Sequence, residues 1–245
     1  PDFDSVPQSV LKRAKLLYLN YPNNPTGAVA TKEFFKNVVD FALKNDIIVI
    51  HDAAYSALTY DGYKPLSFLS VEGAMDVGLE VHSLSKAFNM TGWRIGFVCG
   101  NSKAVNAYAT VKDNTDSGQF RAIQKAGIQA FKHTDITERT IAKYSRRFNL
   151  LVDALKETGF DAKKPKGSFY CYVKAPAGTE TGKIFNSASE FSEFLIKESL
   201  ISTVPWDDAG KFIRFSVTFE ADTHQEEKDV IKEMKERMKR LKLKY

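Results

Sequence analysis

The sequence predicts an α/β protein: a largely parallel sheet, followed by a smaller α+β unit. Short apolar runs alternate with stretches of helical periodicity through the first part of the chain, which is how parallel strands joined by crossover helices read. Several of these runs end on polar or turn-forming residues, as strand ends facing a ligand do. After Gly159 the runs become alternating and rich in aromatics, the pattern of half-buried strands. The boundary between the two regions falls within one long helix, which places a large domain over residues 1–145 and a small domain over 146–245.

Taken in order, LLYLNY (Leu16 to Tyr21) is a short strand closed by the turn-forming PNNPTG. TKEFFKNVVDFALKN is a helix with Thr31 as its N-cap and Phe34, Phe35, Val38, Val39 and Ala42 on its apolar side. IIVI (Ile47 to Ile50) is a second strand, with HDAAY at its carboxyl end. LEVHSLS runs into Lys86, and RIGFVCG is a further strand. Polar helices come next, through KAVNAYATVK and TERTIAKYSRRFNLLVDALKETG. In the second region GSFYCYV and KFIRFSV are strands separated by the helix SASEFSEFLIKE. The ending KDVIKEMKERMKRLKLKY places Val230, Ile231, Met234, Met238 and Leu241 at helical spacing, an amphipathic helix with a solvated basic face.

Bulk properties narrow the function classes. Apolar residues make up 43% of the 245 residues and charged residues 27%, the balance of an ordinary globular protein. The net charge of +5 sits largely in the terminal helix and does not point to nucleic acid. Cys99 and Cys171 stand far apart without ligand spacing, so neither a disulfide framework nor a metal site is expected, and the reducing cytoplasm is the default compartment. No apolar run approaches the length of a bilayer span, and there is no signal-like segment at the start. Pro1 in place of Met hints at a missing natural beginning.

Four groups along the chain carry chemistry. In PNNPTG, Asn24 lies where a strand end opens, although Pro- and Gly-rich turns are common by themselves. Asp52, with Tyr55 three residues on, closes a buried strand. A carboxylate there is costly unless it meets a cation or donors, and capping a helix beyond it is the plainer explanation. His51 beside it points to the opposite face and reads as structural. In HSLSKAFNMTGWRIGF, Ser83, Ser85, Lys86 and Arg94 gather hydroxyls, an amine and a guanidinium at one strand end. They suit a phosphate dianion and a Schiff-base lysine, against the ordinary alternative of a solvated loop lysine. His82 packs beside that group without a chemical role. Arg214, between Ile213 and Phe215, faces away from the core and could grip a carboxylate two-pronged, or could simply line the polar face of an edge strand. Trp206, Asp207 and Asp208 lie shortly before it, either facing a substrate or forming a surface turn.

The order and spacing of NNPTG, DAAY, SLSK with an arginine eight residues later, and IRFS resemble the fold type I aminotransferases, the class I/II aspartate aminotransferase superfamily. YPNNPTGAVATKEFF, HSLSKAFNMTGWRIGF and VPWDDAGKFIRFSVTF look most like the LL-diaminopimelate aminotransferase group. The resemblance implies pyridoxal 5'-phosphate held as an imine on Lys86, which also shuttles a proton. Asp52 would pair with the pyridine nitrogen and keep it protonated. Asn24 and Tyr55 would donate to the phenolic oxygen, Ser83, Ser85 and Arg94 would bind the phosphate, and Arg214 would hold the substrate carboxylate. It further implies amino-group transfer from an amino acid such as LL-diaminopimelate or aspartate to a 2-oxo acid such as 2-oxoglutarate, in a homodimer. A carbon–sulfur β-lyase, a non-catalytic ligand-binding domain and an inactive fragment are the alternatives. Family members are longer at the amino end, where they carry a phosphate loop and an aromatic group stacked on the ring, so a preceding segment is expected to be missing here.

Overall fold

The computed structural model describes residues Pro1–Tyr245. Its backbone separates into two compact units. The first comprises Pro1–Asn23 and Ala28–Thr140, and the second comprises Asn24–Gly27 and Ile141–Tyr245.

In the first unit a short helix α1 (Gln8–Leu11) precedes strand β1 (Leu16–Asn20). Helix α2 (Lys32–Asn45) is next, with the Thr31 hydroxyl accepting from Phe34 N as its N-cap. Then come β2 (Ile48–Asp52), α3 (Ala74–Val77), β3 (Gly78–Ser83), α4 (Leu84–Ala87) and β4 (Gly96–Gly100). Helices α5 (Ser102–Thr115) and α6 (Arg121–Ala130) complete it, and α7 (Thr134–Glu157) begins in it. The sheet runs β1-β2-β3-β4. The first three strands are parallel, and β4 returns antiparallel to β3. Odd residues of β2 point to one face, where fully buried Val49 and nearly buried His51 meet Phe35, Val38 and Ala42 of α2 and Phe68 of the next loop. Phe35 packs edge-on against His51 and Phe68, with ring centroids 5.0 and 5.4 Å apart. Burying each of the two phenylalanine rings contributes about 1.5–3 kcal/mol. The parallel register brings the carboxyl ends of β1, β2 and β3 together at Asn20, Asp52 and Ser83. Ligands of such sheets bind just beyond those strand ends.

The second unit holds most of α7, then β5 (Tyr170–Lys174), β6 (Gly178–Thr179), α8 (Ala188–Ser199), β7 (Val204–Trp206), β8 (Phe212–Ser216), α9 (His224–Arg240) and β9 (Leu243–Lys244). Its main sheet is antiparallel, in the order β5-β8-β7, and β6 pairs with β9. Arg214 therefore sits on the central strand, not on the edge strand that its polar face would also allow. Ile213 and Phe215 are buried on one face, and the rings of Phe160, Phe185, Phe191 and Phe215 meet beneath them. Thr223 and Glu226 form a capping box at the start of α9. The basic residues of α9 engage acidic neighbours: Lys235 and Lys239 pair with Glu157, and Arg237 pairs with Glu233. No helix is long and apolar enough to cross a membrane.

Candidate active site

Asp52 is the last residue of β2 and keeps the even-numbered orientation, away from the α2 core. Its Oδ2 accepts from the Tyr18 hydroxyl at 2.9 Å and its Oδ1 from Ala54 N at 3.1 Å. Asn20 Nδ2 donates to its backbone carbonyl at 3.0 Å. No helix begins directly after Asp52, so the capping explanation for this carboxylate does not apply. Burial of the hydroxyl, the bond to Asp52 and that carboxylate's charge together push the Tyr18 phenol up to about 12. Tyr18 thus remains a donor at any ordinary pH, even though the residue as a whole is 62% exposed. Sequence reasoning missed Tyr18, because its partnership depends on the β1–β2 register. The one available signal was its spacing two residues before Asn20, which puts both side chains on one face.

His51 points the other way, as its position predicts. Its Nδ1 lies 2.9 Å from Glu80 Oε1 and its Nε2 lies 3.0 Å from the Tyr21 carbonyl. Both ring nitrogens thus face acceptor oxygens, an arrangement that a doubly protonated ring satisfies. Glu80, buried on β3, also receives Phe68 N at 2.6 Å, the Ser67 hydroxyl at 2.9 Å and His82 Nε2 at 3.0 Å. Burial opposes its charge, but the bonds from His51 and His82, the charge of His51 and the bond from Ser67 outweigh that and hold its carboxyl well below the usual range. Cys99 lies near Glu80 and His82, and these three could present metal ligands. Each Glu80 oxygen, however, already accepts two bonds from protein donors, so the cluster reads as a polar tie across β2 and β3. His82 stacks on Phe97 with centroids 4.7 Å apart.

Directly beyond, Ser83 ends β3 and caps α4, its hydroxyl accepting from Ser85 N at 3.1 Å. Lys86 lies on α4, its Nζ 5.7 Å from the centroid of the Tyr55 ring. Tyr55 and Ser85 are buried. The Thr91 hydroxyl donates to the Ser85 carbonyl, Arg94 Nη1 donates to the Thr91 carbonyl at 3.0 Å, and Leu84 N donates to the Ile95 carbonyl. These bonds tie the start of α4 to the turn carrying Arg94, whose φ of 51° is left-handed. Asp52, Tyr55, Ser83, Ser85, Lys86 and Arg94 thus all belong to the first unit and lie at or beyond the carboxyl ends of β2 and β3. Their donor set fits pyridoxal phosphate. A carboxylate suits a ring nitrogen, an amine suits its carbonyl carbon, and hydroxyls with a guanidinium suit its phosphate.

Asn24 and Arg214 belong to the second unit and meet there, Arg214 Nη1 donating to Asn24 Oδ1 at 2.6 Å. The guanidinium carbon lies 3.8 Å from the Tyr170 ring centroid and 5.7 Å from that of Trp206, a cation–π setting that fixes the fork. Asp207 has a structural place. It accepts from Ala188 N at 2.6 Å and from Ser189 N and Oγ, capping α8, and those bonds hold its carboxyl below the usual range.

The family described as aminotransferase class I and II matches residues 1–233. The chain is 59% identical over 243 residues to an LL-diaminopimelate aminotransferase of Methanococcus maripaludis, covering 97% of this chain and 58% of that protein. It is 55% identical over 253 residues to the protein of that name from Methanocaldococcus jannaschii, covering 100% of this chain and 60% of that protein. Among solved structures, apo-BacF from Bacillus subtilis superimposes with a TM-score of 0.88 at 35% identity, over 99% of this chain and 63% of that one. A double mutant of Thermus thermophilus aspartate aminotransferase does so with a TM-score of 0.84 at 30% identity, over 98% and 60%. The chain spans 58% and 60% of the length of the two curated relatives.

Proposed function

Because the chain belongs to the class I and II aminotransferase family, we propose that the protein transfers an amino group from LL-diaminopimelate to a 2-oxo acid such as 2-oxoglutarate, with pyridoxal 5'-phosphate as cofactor. The observation that carries this reading is the placement of Asp52, Ser83, Lys86 and Arg94 at the carboxyl ends of adjacent parallel strands of one unit. The donor is that of the two relatives above, both LL-diaminopimelate aminotransferases.

Each residue has its own part in the reaction. Lys86 would hold the cofactor through its amine and would move the proton at the substrate α-carbon. Asp52 would pair with the ring nitrogen and keep a proton on it. The bound cofactor supplies an electron sink for the carbanion at that α-carbon. Ser83, Ser85 and Arg94 would hold the phosphate, and Tyr55 and Asn24 would serve as donors to the phenolic oxygen. Arg214, held by Asn24 and backed by Tyr170, binds the substrate α-carboxylate by a charge-assisted fork. Two such proteins act as a homodimer in the cytoplasm, a compartment consistent with the free thiols Cys99 and Cys171. The test is an amino-transfer assay on the intact protein loaded with cofactor. Glutamate should form from 2-oxoglutarate with LL-diaminopimelate as donor, and much more slowly with aspartate or phenylalanine. Equal rates with all three donors would overturn the substrate assignment.

A further inference from the structure

Resting on that reading of the site, we propose that Tyr18 is a positioning residue that orients the Asp52 carboxylate toward the cofactor's ring nitrogen. A carboxylate's terminal torsion is soft and roughly two-fold, so one hydrogen bond leaves it free to swing. Asp52 has a donor on each oxygen: Tyr18 on Oδ2 at 2.9 Å and Ala54 N on Oδ1 at 3.1 Å. One donor comes from the neighbouring strand and the other from the turn beyond β2, so the plane of the carboxylate is fixed from two sides. A carboxylate offers about four acceptor sites, so these two bonds leave one lone pair on each oxygen for a cationic N–H.

The register explains why Tyr18 reaches this atom. Tyr18 pairs with Ile50 and Asn20 pairs with Asp52, so Tyr18 is the diagonal neighbour of Asp52 on the same face. Asn20 holds the Asp52 backbone carbonyl at 3.0 Å while Tyr18 holds the side chain, so β1 grips one residue twice. The phenol's raised pKa keeps the donor protonated, which supports the assignment without being needed for it. Tyr18 is 62% exposed, so Tyr18→Phe removes the hydroxyl without opening a cavity in the core.

The experiment compares the intact protein with Tyr18→Phe, Asp52→Asn and the double variant. Without cofactor, ultraviolet titration of wild type against Tyr18→Phe isolates the Tyr18 phenol. Its midpoint should lie near 12 and fall part of the way toward the ordinary value of about 10 when Asp52→Asn removes the carboxylate's charge, the larger contribution from burial remaining. With cofactor, Tyr18→Phe should lower kcat about tenfold, roughly what one hydrogen bond to a charged acceptor is worth, and leave KM for the amino acid unchanged. In the Asp52→Asn background the same change should cost almost nothing, because the two residues act as one unit. Additive losses, or a Tyr18 phenol indifferent to Asp52, overturn the proposal. A wild-type protein that binds no cofactor through Lys86 is a different failure: it overturns the reading of the site, while the cofactor-free titration still decides whether Tyr18 holds Asp52.

Discussion

Asp52 ends a buried strand with its charge fully provided for: two donors hold its oxygens and a third holds its carbonyl. In the proposed function this carboxylate stands opposite the cofactor's ring nitrogen. Asp52→Ala should therefore weaken cofactor affinity by about 2 kcal/mol or more, read as the dissociation constant from absorbance titration, with the fold intact by circular dichroism. Arg214 makes the matching case in the second unit. Lysine keeps the charge but loses the planar fork and the stacking on Tyr170, so Arg214→Lys should raise KM for the amino acid about tenfold or more and change kcat less. Steady-state kinetics decide this; an unchanged KM would remove Arg214 from substrate binding.

At the scale of elements, a few buried polar ties hold the strands where the chemistry needs them. Arg147, 1% exposed on α7, donates to Glu227 Oε1 at 2.8 Å, to the Val217 carbonyl at 3.0 Å and to the Phe219 and Ala221 carbonyls. It thereby fastens the segment leaving β8, the strand of Arg214. Arg147→Met strands those carbonyls and should cost about 3 kcal/mol in urea unfolding. The bond from Arg146 to Glu227, working against burial, then the bond from Arg147 and the charge of both, hold the Glu227 carboxyl down to about 2. A folded value below the unfolded one means that this stabilisation is complete above about 4.5 and is lost as pH falls through about 2. Wild type should accordingly lose stability steeply across that window, and Glu227→Gln should show a flatter profile. Gly27 of the PNNPTG turn has φ +69°, and a Cβ there would collide with Pro165 and lie 2.9 Å from the Gly167 carbonyl. Gly27→Ala is expected to destabilise the protein by more than about 1 kcal/mol, measurable as a lowered unfolding midpoint.

Across the molecule, the features legible in the sequence were those encoded locally. The Thr31 cap, the apolar face of α2, the polar ends of β2 and β3 and the outward turn of Arg214 all arise from periods of 3.6 or 2 within a few residues. What stayed hidden depends on register between distant segments. Tyr18 reaches Asp52 across 34 positions, Glu80 joins His51 across 29, and Arg147 joins Glu227 across 80. The antiparallel return of β4 and the central place of β8 are likewise choices of strand pairing, which local pattern does not specify. The four motifs nevertheless identified the family, because their order and spacing along the chain are distinctive, and residues 1–233 match that family. The proposed function turns on Lys86 as the carrier of the cofactor. Its most direct test is to load the intact protein with pyridoxal phosphate, reduce with borohydride and map the peptides by mass. A pyridoxyl group on Lys86, abolished in Asp52→Ala at limiting cofactor, is the predicted result. A protein that takes up no label, or takes it up on scattered surface lysines in place of Lys86, would contradict that role.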